Sequence, residues 1–398
     1  MPHTVADLAA AMESIAPLDG AEAWDKVGLH VGGASDPIGG PVLLTIDLTE
    51  AVMDEAIEAG AGAIVAYHPP IWEPIERLTG TTRTARVIRK AVQHNVAIYS
   101  PHTALDNTRG GVCDWLCEGL AGLAEGEAPG GRINGDVRGL EAHPVRRAAQ
   151  EVKIVTFVPE ANLEQVRNAL ATAGAGRIGE YEVCSFSQPG RGTFFAGDKA
   201  NPVVGERQRL ETVDEIRLEM VCSRSGLPLA IETLRQFHPY EEPPFDIYEM
   251  MPEPRRSTGA GRRLVLDRAA TLAELAPRLR AHLGRARIKI ALPESGPESG
   301  GNSGEDVPIT HIGVCPGAGA GLAELAAREG CSVFVTGEMK HHEVLACLER
   351  GTSVLLAGHT NTERGYLPRL AARLGEMLPD LDARLAQHDR DPLTVLAE

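Results

Sequence analysis

The sequence predicts an α/β protein built as one two-part α/β domain, interrupted by a smaller α+β insertion. Three observations carry this. Short apolar runs rich in β-branched residues alternate with helical periodicity near both ends of the chain, the grammar of a parallel sheet with crossover helices. The same grammar stops near residue 128 and resumes near 257. Between them lies a stretch with a different order of elements.

In the first part, residues 4–15 carry apolar positions at helical spacing, with Thr4 placed to cap the helix. Residues 41–48 (PVLLTIDL) read as a strand and 51–59 as a helix. Residues 63–66 read as a second strand, ending at Tyr67-His68-Pro69-Pro70. A helix over 82–94 leads to a third strand, 96–99, ending at Ser100-Pro101-His102. Polar residues thus gather just beyond strand C-termini, where open α/β sheets bind ligands.

Residues 129–149 and 251–256 are rich in glycine, proline or charge without a clear period, and read as linkers. Within 150–250, a strand (152–158), a helix (163–173), a glycine loop (174–179), a strand (216–221) and a helix (227–237) predict a small α+β domain. From 257 onward, Thr271 and Glu274 form a capping-box pattern before a helix reaching 283. Strands are predicted over 288–292, 309–315, 332–336 and 352–357, with helices at 321–328, 340–349 and 362–375. Residues 293–306 (PESGPESGGNSGED) form a polar, low-complexity loop.

Bulk properties narrow the function classes. The chain has 398 residues, 43% apolar content and a formal net charge of −16. Such an acidic balance disfavours a general nucleic-acid binder, which needs cationic surface to displace counterions from phosphate. No stretch reaches the roughly 18 to 20 apolar residues of a membrane span, and Asp7 and Glu13 interrupt any secretory apolar segment. The cytoplasm is the expected compartment. Seven cysteines with no CxxC pair argue against a zinc ribbon or a disulfide framework.

Four segments place imidazole or carboxylate at strand ends: Tyr67-His68, His102 to Asp106, Glu338 to His342, and His359 to Glu363. If a helix starts here, His359 and Glu363 at i, i+4 share a face and chelate one ion; Asn361 or Thr362 would cap it. Glu363 is the candidate bridge between two ions. Imidazole with carboxylate suits zinc, manganese, iron or another first-row divalent cation. Taken singly, each residue reads as an ordinary hydrogen-bonding group. His341 and His342 read either as support for the site or as exposed residues of a first helical turn. The glycine run 313–321 reads as an anion cradle or a structural turn. Trp24 and its neighbours read as a wall of the same cleft or as a loop anchored by the indole. Cys113 and Cys117 read as a buried helix face.

The segments AEAWDKVGLHVG (21–32), DLTEAV (47–52), AYHPPIW (66–72), SPHTALDNTRGGVCDWL (100–116), VTGEMKHHEVL (335–345), GHTNTERGYLP (358–368) and HDRDPL (388–393) together resemble the NIF-three-like dinuclear metal-centre family, also labelled GTP cyclohydrolase 1 type 2. The resemblance covers 1–128 and 257–398. Residues 150–250 are similar to the PII-like or CutA-like insertion of longer members. What the resemblance implies is a homohexameric toroid with one or two divalent cations per chain, on His68, Asp106, His359 and Glu363. Tyr67 stands where many members have a further histidine, as an additional candidate ligand. One site is expected from His68, Asp106 and Glu363, and a second from His359, Glu363 and Tyr67. Glu338 and His342 would move protons for a metal-dependent hydrolase acting on a small molecule. The competing readings are a non-catalytic hexameric scaffold with a ligand-sensing insert, using 174–179 and 238–243, and a protein of metal storage or trafficking.

Overall fold

The computed structural model describes residues 3–284, 286–294 and 306–394. It divides the chain into two compact units, one of residues 1–143 and 255–398, the other of residues 144–254. Most of the polar loop expected over 293–306 lies outside the described residues.

The first unit holds two sheets. The first has strands Val42–Thr45, Ala63–Ala66, Ala97–Ser100 and Ala383–Leu385 in parallel, with Gly28–Val31 antiparallel at one edge. The three central strands are buried along their whole length, which is why they read as continuous apolar runs rather than alternating ones. The second sheet sets Ile309–Val314, Val333–Thr336 and Ser353–Leu356 in parallel, flanked by antiparallel Lys289–Ala291 and Arg262–Ala270.

Each half of the chain lends the other an edge. Ala383–Leu385, at the C-terminal end, completes the first sheet, and Gly135–Arg138 completes the second by pairing with Arg263–Leu266. The segment 129–149 is therefore not only a linker. Its strand was hidden because half of its positions face solvent and Gly135 begins it. One apolar cluster joins Val42 and Val65 of the first sheet to Ile312, Val335 and Leu355 of the second, through Met12, Leu116, Leu275 and Leu370 on four helices. The two halves thus share one core.

Helix starts follow their caps. Thr4 accepts from the Asp7 backbone while the Asp7 carboxylate accepts from the Thr4 backbone. Thr271 and Glu274 form the same box ahead of Leu272–His282. The helix expected over 362–375 is two helices, Asn361–Arg364 and Leu367–Met377. Pro368 lacks an N–H and is tolerated in a first turn, so the second helix restarts there. Among the described residues no helix is long and apolar enough to cross a membrane.

The second unit runs strand Val152–Val158, helix Leu163–Thr172, strand Phe186–Phe195, strand Leu210–Cys222, helix Leu227–Phe237, strand Phe245–Glu249. Its antiparallel sheet has the fourth strand beside the first, then the third, then the second. That is the β-α-β-β-α-β split arrangement. Ile154, Val166, Leu170, Leu218, Met220 and Leu234 form its own core.

Candidate metal centre

Three of the expected ligands meet. His68, His359 and Glu363 each offer one ligand atom, and these atoms all lie within 4.8 Å of one another. The His68 Nε2 is 3.5 Å from one Glu363 oxygen and the His359 Nε2 is 3.4 Å from the other. His68 follows strand Ala63–Ala66, and its backbone N–H still bonds to the Ile46 carbonyl at 3.0 Å. His359 lies three residues past the end of strand Ser353–Leu356. The two histidines therefore come from strand ends in different sheets, at the C-terminal side where ligands gather.

The i, i+4 pair works by a different local structure from the one expected. The helix begins at Asn361, after His359. The Thr362 hydroxyl donates to the His359 carbonyl at 2.6 Å and Asn361 donates to the Ala357 carbonyl at 3.0 Å. These bonds fold the segment into a tight turn that sets His359 over Glu363.

Glu363 is only 3% exposed, and its Oε2 has no hydrogen-bond partner. A buried carboxylate oxygen without a donor is costly. Two imidazole nitrogens converge on this carboxylate. This donor set fits a divalent cation.

Carboxylates hold the far side of each ring. His68 Nδ1 is 3.0 Å from Asp47 and His359 Nδ1 is 3.0 Å from Glu338. Such bonds fix which nitrogen carries the proton and leave Nε2 for a ligand. Burial pulls the His68 imidazole down, but the Asp47 bond and the neighbouring Glu363 and Asp47 carboxylates outweigh that and push it up to about 10. Burial also raises Asp47, yet the His68 bond together with the charges of His68, Arg364 and His359 outweighs it and holds this carboxyl below its usual range. Glu338, expected to move protons, therefore orients His359. His342 is exposed on the first turn of helix His341–Glu349. Among the described residues no hydrogen bond or ion pair joins it to the three ligands.

Asp106 and Tyr67 stand beside the group, bonded to each other. The Tyr67 hydroxyl donates to Asp106 at 2.5 Å. Burial raises the Tyr67 phenol well above its normal range, and the Asp106 charge adds to the effect. Burial likewise pushes Asp106 up to about 7, against the opposing pull of His102. The converging group is His68, His359 and Glu363, with Asp106 and Tyr67 next to it.

Several residues that shape this site carried little sequence signal. Asp389 accepts from the backbone of Ile46 at 3.1 Å and forms an ion pair with Arg364, tying the C-terminal segment to the loop of Asp47 and the turn of Glu363. Gly317 has φ +60°, and a Cβ there would sit 2.7 Å from Glu363 Oε1 and 3.1 Å from His359 Nε2. The glycine run is thus a floor of the site. Its N–H groups at Gly317 and Gly319 are taken by the hydroxyls of Thr362 and Thr336, so it is not an open anion cradle. Cys113 and Cys117 are buried on the helix Val112–Ala121.

A family model described as Duf34/NIF3 (NGG1p interacting factor 3) matches residues 3–392. The chain belongs to the Duf34/NIF3 family. A Bacillus subtilis relative named GTP cyclohydrolase 1 type 2 homolog is 33% identical over 387 residues, 96% of each chain. A Halalkalibacterium halodurans relative of the same name is 32% identical over 358 residues, 89% of this chain and 88% of that one. Among solved structures, a Bacillus cereus protein related to NIF3 aligns at TM-score 0.61 with 28% identity, covering all of both chains. Staphylococcus aureus protein SA1388 aligns at TM-score 0.68 with 25% identity, covering 99% of each.

Because Asp47 fixes the His68 ring, Asp47→Ala is expected to weaken metal binding roughly 10- to 100-fold, the usual effect of losing such a partner. Competition against a chromophoric chelator measures this. Unchanged affinity would show that His68 is oriented by packing alone.

Proposed function

We propose that this chain is a divalent-metal-dependent hydrolase of a small polar substrate, with the metal held by His68, His359 and Glu363. The observation that carries the reading is the convergence of two carboxylate-oriented imidazoles on a buried carboxylate with one unpartnered oxygen. A bound divalent cation supplies Lewis acidity toward a carbonyl or phosphoryl oxygen. Asp47 and Glu338 keep the two Nε2 atoms facing Glu363. Asp106, whose carboxyl burial raises, is the group that holds or releases a proton in this reading. The Tyr67 hydroxyl keeps that carboxyl in place. Zinc, manganese and iron all suit these donors. The names of the Bacillus subtilis and Halalkalibacterium halodurans relatives favour a nucleotide substrate. A second ion near Asp106 and Tyr67, a homohexameric toroid, a cytoplasmic address and a PII-like or CutA-like origin of the insert rest on the family likeness.

One observation favours a second reading, a scaffold with a ligand-sensing insert. The second unit has a cavity of about 800 Å³, lined among others by Phe157, Phe194, Arg217 and Tyr240, within the size range of small-molecule sites. Glu241 and Glu242 of the expected 238–243 segment also line it, whereas the glycine loop 174–179 does not.

One experiment separates the readings. The metal-loaded chain and a form lacking 150–250 are assayed against nucleotides, phosphoesters and cyclic amides, with and without chelator. A hydrolase predicts chelator-sensitive turnover that survives the deletion. Full metal content with no turnover of any substrate by either form would favour the scaffold.

A further inference from the structure

Two of the three tryptophans in this chain lie in solvent beside the candidate metal centre. Trp24 is 54% and Trp72 44% exposed, whereas Trp115 is only 5% exposed. An indole left in water forgoes much of the transfer free energy that usually buries it. The two exposed rings are neighbours, with centroids 5.8 Å apart. Both also flank His102, at 6.0 and 6.3 Å. His102 in turn is 5.4 Å from His68, and His68 is 5.4 Å from His359. The indoles therefore stand two ring-to-ring steps from a proposed metal ligand.

The backbone under each ring is held. Asp25, next to Trp24, accepts from the Thr103 backbone at 3.0 Å and bonds His102 Nδ1 at 2.8 Å. Glu22 on the same loop bonds Thr103 through its backbone and Asn107 through its side chain, each at 3.0 Å. Trp72 follows Pro69 and Pro70, whose rings fix φ and remove two backbone donors. Aromatic rings on restrained loops lose little entropy when a flat partner covers them.

We infer that Trp24 and Trp72, whose planes are inclined by 51°, form an angled platform on which a planar heteroaromatic ring of the substrate stacks against one indole and meets the other edge-on, oriented so that a polar group attached to that ring reaches the metal group past His102. The inference names a substrate class for the site proposed above, and it rests on that reading only for the reacting end of the molecule. Stacking is tolerant of ring identity because every nucleobase presents a π-face. The platform therefore selects for a ring of this kind, and groups nearer the metal select what it carries.

The test is tryptophan fluorescence of the full-length, metal-loaded protein, titrated with guanosine 5′-monophosphate and, separately, with ribose 5-phosphate. The expected result is saturable quenching by the nucleotide and none by the ringless phosphate. Trp72→Ala should weaken nucleotide binding on the order of ten-fold, with Trp24→Ala similar, while Trp72→Phe should keep most of it. His68→Ala should lose metal yet retain tryptophan-dependent quenching, which separates this inference from the metal reading. Quenching that is absent, or equally strong in Trp72→Ala and wild type, would overturn the platform even if metal is retained. So would shielding of both indoles from acrylamide in the ligand-free protein, because a second copy of the chain would then cover them.

Discussion

Glu363→Ala is expected to purify without a bound divalent cation under conditions in which the wild-type chain retains one. The substitution removes the carboxylate on which both imidazoles converge, at 3.4 and 3.5 Å, and leaves the two rings with no anionic partner between them. Glu363→Gln is the sharper variant, because it keeps the shape and removes the charge. A cation present at a thousand times its dissociation constant stabilises the folded state by about 4 kcal/mol. The rise in Tm that metal confers on the wild type should therefore vanish in both variants. Elemental analysis with thermal scans in metal and in chelator reads both effects. Wild-type metal content in the two variants would remove Glu363 from the site and end the proposal.

Arg262→Leu should produce the largest loss of stability in the first unit, about 3 to 5 kcal/mol, the usual cost of breaking a buried pair from one side. The Arg262 side chain is 1% exposed and ion-paired with Asp114. Its guanidinium also donates to the carbonyls of Gly259, Gly261, Asn107 and Thr108 at 2.7 to 3.0 Å. Removing it takes the cation from the Asp114 carboxylate, which keeps the Gly110 N–H, and one donor from each of four carbonyls, of which Asn107 and Thr108 keep a backbone N–H. Two of those carbonyls end the helix His102–Asn107 that carries Asp106, so Arg262 ties the second half of the chain to the end of that helix. Arg262→Lys should recover little, because an ammonium cannot match the guanidinium fork. Urea unfolding of the metal-free protein measures the difference, and a midpoint close to wild type would show that water satisfies the stranded groups.

Elements whose burial is complete or strictly one-sided were legible in the sequence. Ala63–Ala66 is buried at all four positions and reads as a strand from composition alone. Thr4 announces its helix through a local cap. Phe186–Phe195 was not legible. It is largely exposed, carries Pro189, Gly190 and Gly192, and becomes a strand only by pairing along its length with Leu210–Glu219. Strand propensity measures fit to a neighbouring strand more than an intrinsic preference. Asp47 was equally hidden as an orienting group, since an aspartate past a strand end is ordinary until its partner is known.

From local pattern, the sequence alone determined that imidazoles and carboxylates stand at the C-terminal ends of strands in both halves of one interrupted α/β domain. Tertiary structure decided which of them face one another. It set Asp106 against the Tyr67 hydroxyl, turned Asp47 and Glu338 to the far nitrogens of His68 and His359, and left Glu363 buried between the near ones. Of these, the approach of Glu363 to His68 joins the two halves of the chain, and it arises only when the two sheets close on a common core, whereas the other pairings are made within one half. The pattern that places a residue at a strand end is read from its neighbours in sequence, whereas its chemistry depends on neighbours that only folding supplies.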